Sequence, residues 1–133
     1  MSSLIFRSRA WMESATWGAG DDGKSRTFTP AMGETSGVWQ VRVVNAVDDT
    51  VNLTIVTVDE DGDEVTVAGF DAFEVAGDEG HEWRIETQNP SLKVTVDEVA
   101  GSLGTSGNFV VKIKAWPKFD ILDDVDSYTN TAL

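Results

Sequence analysis

The sequence predicts an all-β protein: an antiparallel two-sheet sandwich of seven to eight strands, jelly-roll or immunoglobulin-like. The first observation is a set of short runs rich in Val, Thr and Ile that alternate apolar and polar residues, as half-buried strands do. The second is that clusters of Gly, Asp and Asn separate these runs and mark turns. Because helical spacing of apolar residues is nearly absent, a two-layer β fold is expected, with a barrel as the alternative.

The clearest predicted hairpin lies in the middle of the chain. An alternating run covers residues 38–47, and the next covers 51–58. An acidic stretch then interrupts the pattern before it resumes over 64–70, which predicts a hairpin with its turn at Asp61 and Gly62.

Further strands are predicted toward the C-terminus. Residues 82–86 and 92–97 alternate on either side of a turn at 89–91, which predicts a second hairpin. Residues 109–115 form the most regular run, and Pro117 ends it.

The chain ends are predicted to extend from a single domain of residues 1–133. An N-terminal arm covers about residues 1–20, with a strand or extended segment at 4–12, and a C-terminal tail covers about 119–133. A short strand is expected at 26–29. The apolar side of the alternating runs predicts a core that consists of Val41, Val43, Leu53, Ile55, Val65, Val67, Ile85, Val94, Val96, Phe109, Val111 and Ile113.

Composition excludes several classes of function. Acidic residues outnumber basic ones by 23 to 10, for a formal net charge of -13, so nucleic acid and membrane surfaces are not expected as partners. The same balance is typical of halophilic proteins and of ordinary acidic ones. The absence of cysteine excludes disulfides and thiolate chemistry. The N-terminus does not have the pattern of a signal peptide, which predicts synthesis in the cytoplasm unless a leader has been removed.

No residue pattern predicts catalysis or a cofactor. Asp59, Asp61 and Asp63 suggest a calcium loop, but the glycine spacing fails, so an acidic hairpin tip is the preferred interpretation and calcium binding stays open. His81 is the only histidine, which excludes a multi-histidine metal site and favours an ordinary loop histidine. The glycine-rich segment 101–107 precedes a strand, so it is predicted to be a flexible loop or a turn and not a phosphate site. The protein is therefore predicted not to be an enzyme, with no metal site and no cofactor.

The tryptophans divide into two groups. Trp39 and Trp83 lie inside alternating strands and are predicted to be core. Trp11 and Trp17 lie in a less periodic segment near arginines, as aromatic anchors of protein interfaces do. The predicted subunit interface therefore consists of Leu4, Phe6, Trp11 and Trp17. The competing interpretation is that this segment folds back and closes one end of the sandwich.

The C-terminal part of the chain resembles small virion proteins of bacterial and archaeal viruses. The resemblance is carried by residues 89–96, the loop 101–107 and residues 109–115, which look like the closing strands of capsid and decoration sandwiches. It implies a capsid, capsid-decorating or tail component of the virion that associates with itself and with other virion proteins through sheet edges and terminal arms. The alternative is a ligand-binding module, such as a carbohydrate-binding domain, that uses exposed tryptophan faces. The missing leader favours the first.

Overall fold

A computed structural model describes residues 11–29 and 37–116, and these ranges contain nine β-strands. In chain order the strands are β1 (Glu13–Trp17), β2 (Ser25–Phe28), β3 (Val38–Asn45), β4 (Val51–Val58), β5 (Glu64–Thr66), β6 (Phe73–Val75), β7 (Gly80–Glu86), β8 (Ser91–Glu98) and β9 (Phe109–Trp116). Within the same ranges no helix is long and apolar enough to cross a membrane.

The antiparallel strand pairs are nested along the chain: the first strand pairs with the last, the second with the one before it, and so on inward. β1 pairs with β9, β2 with β8, β3 with β7, and β4 with both β5 and β6. Further pairing of β3 with β9 and of β4 with β8 makes a 4-stranded sheet of order β1-β9-β3-β7 and a 5-stranded sheet of order β2-β8-β4-β5, with β6 also on β4. Nested pairs shared between two sheets are the jelly-roll arrangement. The predicted antiparallel sandwich is confirmed.

The first predicted hairpin is confirmed and the second is wrong. Residues 56–58 of β4 pair with 64–66 of β5, and the N–H of Gly62 donates to the carbonyl of Asp59 in the turn between them. β7 and β8 lie in different sheets, so the turn at 89–91 crosses from one layer to the other. Alternation shows that a segment is a strand, but it does not show which strand is its neighbour.

Two further differences concern strand bounds. β1 lies at residues 13–17, inside the expected N-terminal arm, and pairs along its whole length with β9. β6 was not predicted, because three residues are too few to show alternation. The predicted segment at 4–12 lies mostly outside the described residues, and the tail at 119–133 lies wholly outside them.

The core lies between the sheets and contains most of the predicted residues. Ten of the twelve are buried, since all but Val65 and Val67 belong to the core cluster. Val67 is half-buried against that cluster. The prediction that Val65 is a core residue is wrong, because 63% of it is exposed. Its strand β5 pairs only with the last three residues of β4 and is exposed at every position.

One buried polar side chain links β3 to the end of β6. The amide nitrogen of Asn45 donates to the carbonyls of Asp49, Val75 and Ala76 at 3.0, 3.1 and 3.2 Å, and its oxygen accepts the N–H of Val47. All of these groups lie at one end of the sandwich. Since an unpaired buried amide would be destabilising, these bonds allow Asn45 to occupy a core position.

The segment 101–107, predicted to be a flexible loop or a turn, contains a turn that is packed against the body of the protein. Leu103 is buried, and its N–H donates to the carboxylate of Glu98 at 2.9 Å. Gly104 has a φ of 81°, and a Cβ at this position would overlap the backbone of Ala19. Close backbone approach therefore requires glycine here.

Candidate interaction surface

The outward-pointing residues of β3, β7 and β9 form a surface that we call the cationic face. These residues alternate with the buried ones, and the strand register brings them side by side. One row across the sheet contains Lys112, Arg42 and Glu82, and the next contains Lys114, Gln40 and Arg84. The four cations on this face, out of ten in the chain, are Arg42, Arg84, Lys112 and Lys114. They stand beside two outward carboxylates, those of Glu82 and Glu86, in a chain with a net charge of -13.

Trp11 lies over this face. The residue precedes the edge strand β1, and its indole ring contacts cations of the next two strands. The ammonium of Lys114 on β9 lies 4.3 Å from the ring centroid, and the guanidinium of Arg42 on β3 lies 4.9 Å from it. Both distances are within the range of cation–π attraction. The half-buried Trp11 therefore reaches from the sheet edge across β9 to β3.

A hydrogen-bonded carboxylate orients the arginine of this pair. Nε and Nη2 of Arg42 each lie 2.8 Å from Oε1 of Glu82, and the side-chain amide of Gln40 donates to Oε2. The hydrogen bond from Arg42 is the largest cause that lowers the pKa of Glu82 below its ordinary value. Because Glu82 holds the guanidinium in place, Arg42 is fixed where it contacts Trp11.

Exposed apolar side chains accompany the charges. Val44 on β3 is 43% exposed, and Met12, next to Trp11, is 39% exposed. A shallow groove of about 260 Å³ lies beside Val44 and is lined by Arg42, Val43, Val44, Gly80, His81 and Glu82. Trp, Met and Arg are the residue types that are enriched in protein interfaces. Trp11, Met12 and Arg42 are therefore the residues here whose types match a contact surface, whereas Lys and Glu are types depleted in interfaces.

The structure separates the four residues of the predicted interface. Trp11 lies on the cationic face, whereas Leu4 and Phe6 lie outside the described residues. Trp17 is 0% exposed, and its Nε1–H donates to the carbonyl of Lys24 at 2.9 Å. It is the last residue of β1 and points into the sandwich, so it belongs to the chain's own core, as in the competing interpretation. That the remaining segment contacts another subunit stays a prediction.

A cluster of four half-buried rings closes the side of the sandwich next to β7. Trp83 stacks on His81 with ring centroids 5.3 Å apart, and meets Phe70 and Phe73 edge to face at 4.8 and 5.4 Å. Sequence reasoning missed this cluster, since it placed Trp83 in the core and His81 in a loop. The only available signal was the spacing of His81 and Trp83 on one strand, which gives both side chains the same face.

The acidic hairpin tip has a structural explanation in its turn. The carboxylates of Asp59, Asp61 and Asp63 lie within 4.8 Å of one another. One oxygen of Asp59 accepts the backbone N–H groups of Asp61 and Asp63, both at 2.9 Å. This bonding is that of an Asx turn, and it accounts for an aspartate at position 59.

Comparison with known proteins assigns no family to this chain. No protein-family model and no curated protein matches the sequence. Similar solved structures include a chain of the infectious bursal disease virus Gx strain, with a TM-score of 0.49 and 14% identity over 78% of this chain and 29% of that one. Others are the CBM22-1 xylan-binding domain of Paenibacillus barcinonensis Xyn10C (TM-score 0.43, 15% identity, 77% and 71% covered) and the Tobacco streak virus coat protein (0.43, 7%, 76% and 80%).

These likenesses assign neither a family nor a role, since each TM-score is below 0.5. The identities are 15% or lower, and the chain spans under a third of the length of the bursal disease virus chain. What the structure defines is a β-sandwich module of jelly-roll arrangement. Its most distinctive surface is the cationic face with Trp11.

Proposed function

We propose that this protein is a non-enzymatic structural component of a virus particle, located in the virion, that associates with copies of itself and with other virion proteins. The observation that carries the proposal is the cationic face, where Trp11, Met12 and Val44 lie among four cations. Contact surfaces typically combine a few aromatic and arginine anchors with exposed apolar side chains. A shell component needs such a surface because the same contact is repeated around an axis.

Charge indicates which surface this face would meet. Four cations against two carboxylates make the face locally positive, while the whole chain carries -13. A positive patch on an acidic molecule is complementary to the remaining surface of a second copy. Repulsion between the net charges opposes this contact at low ionic strength, so it is favoured when salt screens the long-range field.

The fold by itself does not select this function. Jelly rolls occur in viral capsid proteins and in lectin domains alike. The alternative of a carbohydrate-binding module is supported by the groove beside Val44, although its volume of about 260 Å³ is at the small end for ligand sites. Of the tryptophan side chains that the structure describes, Trp17 and Trp39 are buried and Trp11 and Trp83 are half-buried, so the latter two are the ones that a sugar could contact.

The oligomeric state tests the proposal. Sedimentation of the wild-type chain in molar sodium chloride is expected to show assemblies above the monomer mass of 14.4 kDa, with rings or lattice fragments visible by electron microscopy. The substitutions Trp11→Ala and Lys114→Glu are expected to reduce the assembled fraction. Thr27→Ala, on the outer side of the other sheet, is the matched control.

The opposite result is equally clear. A wild-type chain that stays monomeric at every concentration and salt tested would contradict the proposal. If that monomer also bound xylan or a related oligosaccharide, and Trp11→Ala abolished binding, the carbohydrate-binding alternative would replace it.

A further inference from the structure

The chain contains two Asp–Gly dipeptides, and the fold holds them differently. They are Asp22–Gly23, in the loop between β1 and β2, and Asp61–Gly62, in the turn between β4 and β5. An aspartyl carboxyl that precedes glycine can react with the backbone nitrogen of that glycine, because glycine has no Cβ to hinder the approach. All four residues are exposed, so contact with solvent does not distinguish the two sites.

Both reacting groups of the first dipeptide are hydrogen-bonded to β8. The carboxylate of Asp22 accepts the N–H of Glu98 at 2.8 Å, and the N–H of Gly23 donates to the carbonyl of Val96 at 2.8 Å. Two separate backbone groups of β8 therefore hold the nitrogen and the carboxyl. Both hydrogen bonds must break before the nitrogen and the carboxyl can meet.

The hydrogen bonds of the second dipeptide stay within its own turn. The N–H of Gly62 donates to the carbonyl of Asp59 at 3.1 Å, and the N–H of Asp61 donates to the carboxylate of Asp59 at 2.9 Å. Over the residues that the structure describes, no donor bonds to the carboxylate of Asp61 itself. This carboxyl can therefore turn toward the nitrogen of Gly62 without breaking a contact with another strand.

The charge of the hairpin tip favours the same reaction. The carboxylates of Asp59, Asp61 and Asp63 each have an oxygen within 4.8 Å of the other two, and like charges at this separation repel. Cyclisation converts the carboxyl of Asp61 into an uncharged imide and removes one of the three charges. Repulsion therefore disfavours the open carboxylate relative to the cyclic product.

We propose that Asp61 is a site of spontaneous isomerisation to isoaspartate, through attack of the backbone nitrogen of Gly62 on its side-chain carboxyl. The bond between this nitrogen and Cγ forms, and the hydroxyl of the carboxyl leaves with the amide proton as one water, which gives a succinimide. One water then opens the ring. Opening at the α-carbonyl leaves Gly62 joined through Cγ, which is isoaspartate, whereas opening at Cγ restores aspartate. The reaction needs no other reactant, and the inference does not depend on the proposed function.

The effect of this modification on the fold should be local. Isoaspartate lengthens the backbone of the turn by one methylene group, which displaces the amides that now bond to Asp59. β5 pairs only with residues 56–58 of β4 and is exposed at every position, whereas β4 also pairs with β8 along its whole length. We therefore expect the pairing of β5 to loosen while the core stays folded.

Peptide mapping of the aged full-length chain tests the proposal. After weeks at neutral pH, mass spectrometry with electron-based fragmentation distinguishes isoaspartate from aspartate at each position. Isoaspartate is expected to form about tenfold faster at Asp61 than at Asp22, because the loss of two hydrogen bonds lowers the population of the reactive conformation by about that factor.

The same chain unfolded in denaturant is the internal control. There the two dipeptides are expected to react at similar rates, since β8 no longer holds Asp22. Equal rates at the two positions in the folded chain would overturn the inference. So would a folded chain that forms no isoaspartate at Asp61 while the unfolded chain does, because the turn would then protect this residue as well.

Asp61→Glu is the matched variant, since it retains the charge but would need a six-membered ring, which forms far more slowly. It is expected to abolish isomerisation in the turn and to leave the rate at Asp22 unchanged. Isoaspartate that still formed in the turn of this variant would contradict the assignment to Asp61. In the isomerised wild-type chain, amide hydrogen exchange should become faster at residues 64–66 and stay unchanged in β8, whereas faster exchange throughout would contradict a local effect.

Discussion

The two outer faces of the sandwich have the same backbone pattern but different chemistry. On the four-stranded sheet, Trp11 bridges Arg42 and Lys114, and Glu82 orients the arginine. Among the described residues, the outer face of the five-stranded sheet has no such ring over its charges: the hydroxyls of Ser25 and Thr95 hydrogen-bond to each other at 2.6 Å, and Lys93 forms an ion pair with Glu64 at 2.9 Å. Both faces cover the same core. The alternation of apolar residues therefore determines the fold, whereas the outward-pointing residues determine what each face can contact.

Truncation of a core side chain is expected to have the largest effect on the free energy of unfolding, whichever of the two sheets the side chain belongs to. Ile113 on β9 and Leu53 on β4 are both fully buried. Ile113→Ala and Leu53→Ala should each lower the free energy of unfolding by about 2 to 5 kcal/mol, because each leaves a cavity in a packed interior. Denaturant titration measures this. A large cost on one sheet and a negligible one on the other would show that the two inner faces are not equivalent.

How far the sequence predicted the fold depends on strand length. β4 spans the eight residues that were predicted, and Leu53 and Ile55 are buried as predicted, whereas the buried Thr57 was not among the predicted core residues. The prediction of the core failed at β5. The alternating run continues beyond the region that the opposite sheet covers, so Val65 is exposed although it lies on the apolar side of the run. The prediction of a β7–β8 hairpin was wrong because a turn has the same composition whether it joins two neighbouring strands of one sheet or crosses between two sheets.

The candidate surface was predictable at one residue only. An aromatic near arginines in an irregular segment indicated Trp11. Its partners Arg42 and Lys114 are 31 and 103 positions away in the chain, and only the strand register brings them together. The same signal was misleading for Trp17, because burial depends on which side of β1 a residue occupies, and five residues of β1 were read as an arm.

Salt is expected to have the next largest effect, and it acts on the surface as a whole. About thirteen excess negative charges repel one another in the folded chain, and screening relieves that repulsion. The melting temperature should therefore rise between low and molar sodium chloride, for the wild-type chain and for Trp11→Ala alike. A flat or falling melting temperature would contradict the electrostatic account.

Acid is expected to weaken the cationic face through Glu82. Since the fold lowers the pKa of this carboxyl below 4.5, its stabilising contribution is complete above pH 4.5 and is lost as the pH falls through the folded-state value. The wild-type chain should therefore lose more stability than Glu82→Gln over that range. In a double-mutant cycle with Arg42→Met the two effects should not add, because each variant removes one charge of the same charge-assisted contact between Arg42 and Glu82. Identical acid profiles for wild type and Glu82→Gln would contradict the assignment.

The smallest expected effect compares single residues on the two outer faces. Trp11→Ala removes the contacts with Arg42 and Lys114, and exposed cation–π contacts are worth about 0.5 to 1 kcal/mol. Thr27→Ala, on the exposed side of β2, should stay within about 0.5 kcal/mol of wild type. Both free energies of unfolding are measured by denaturant titration at a protein concentration where the chain is monomeric, so that self-association does not contribute. The loss for Trp11→Ala should shrink in the Lys114→Glu background, because one of its two cation contacts is already absent there. If Trp11→Ala were as harmless as Thr27→Ala, the indole would not be held on the face by these cations, and the cationic face would lose its central anchor.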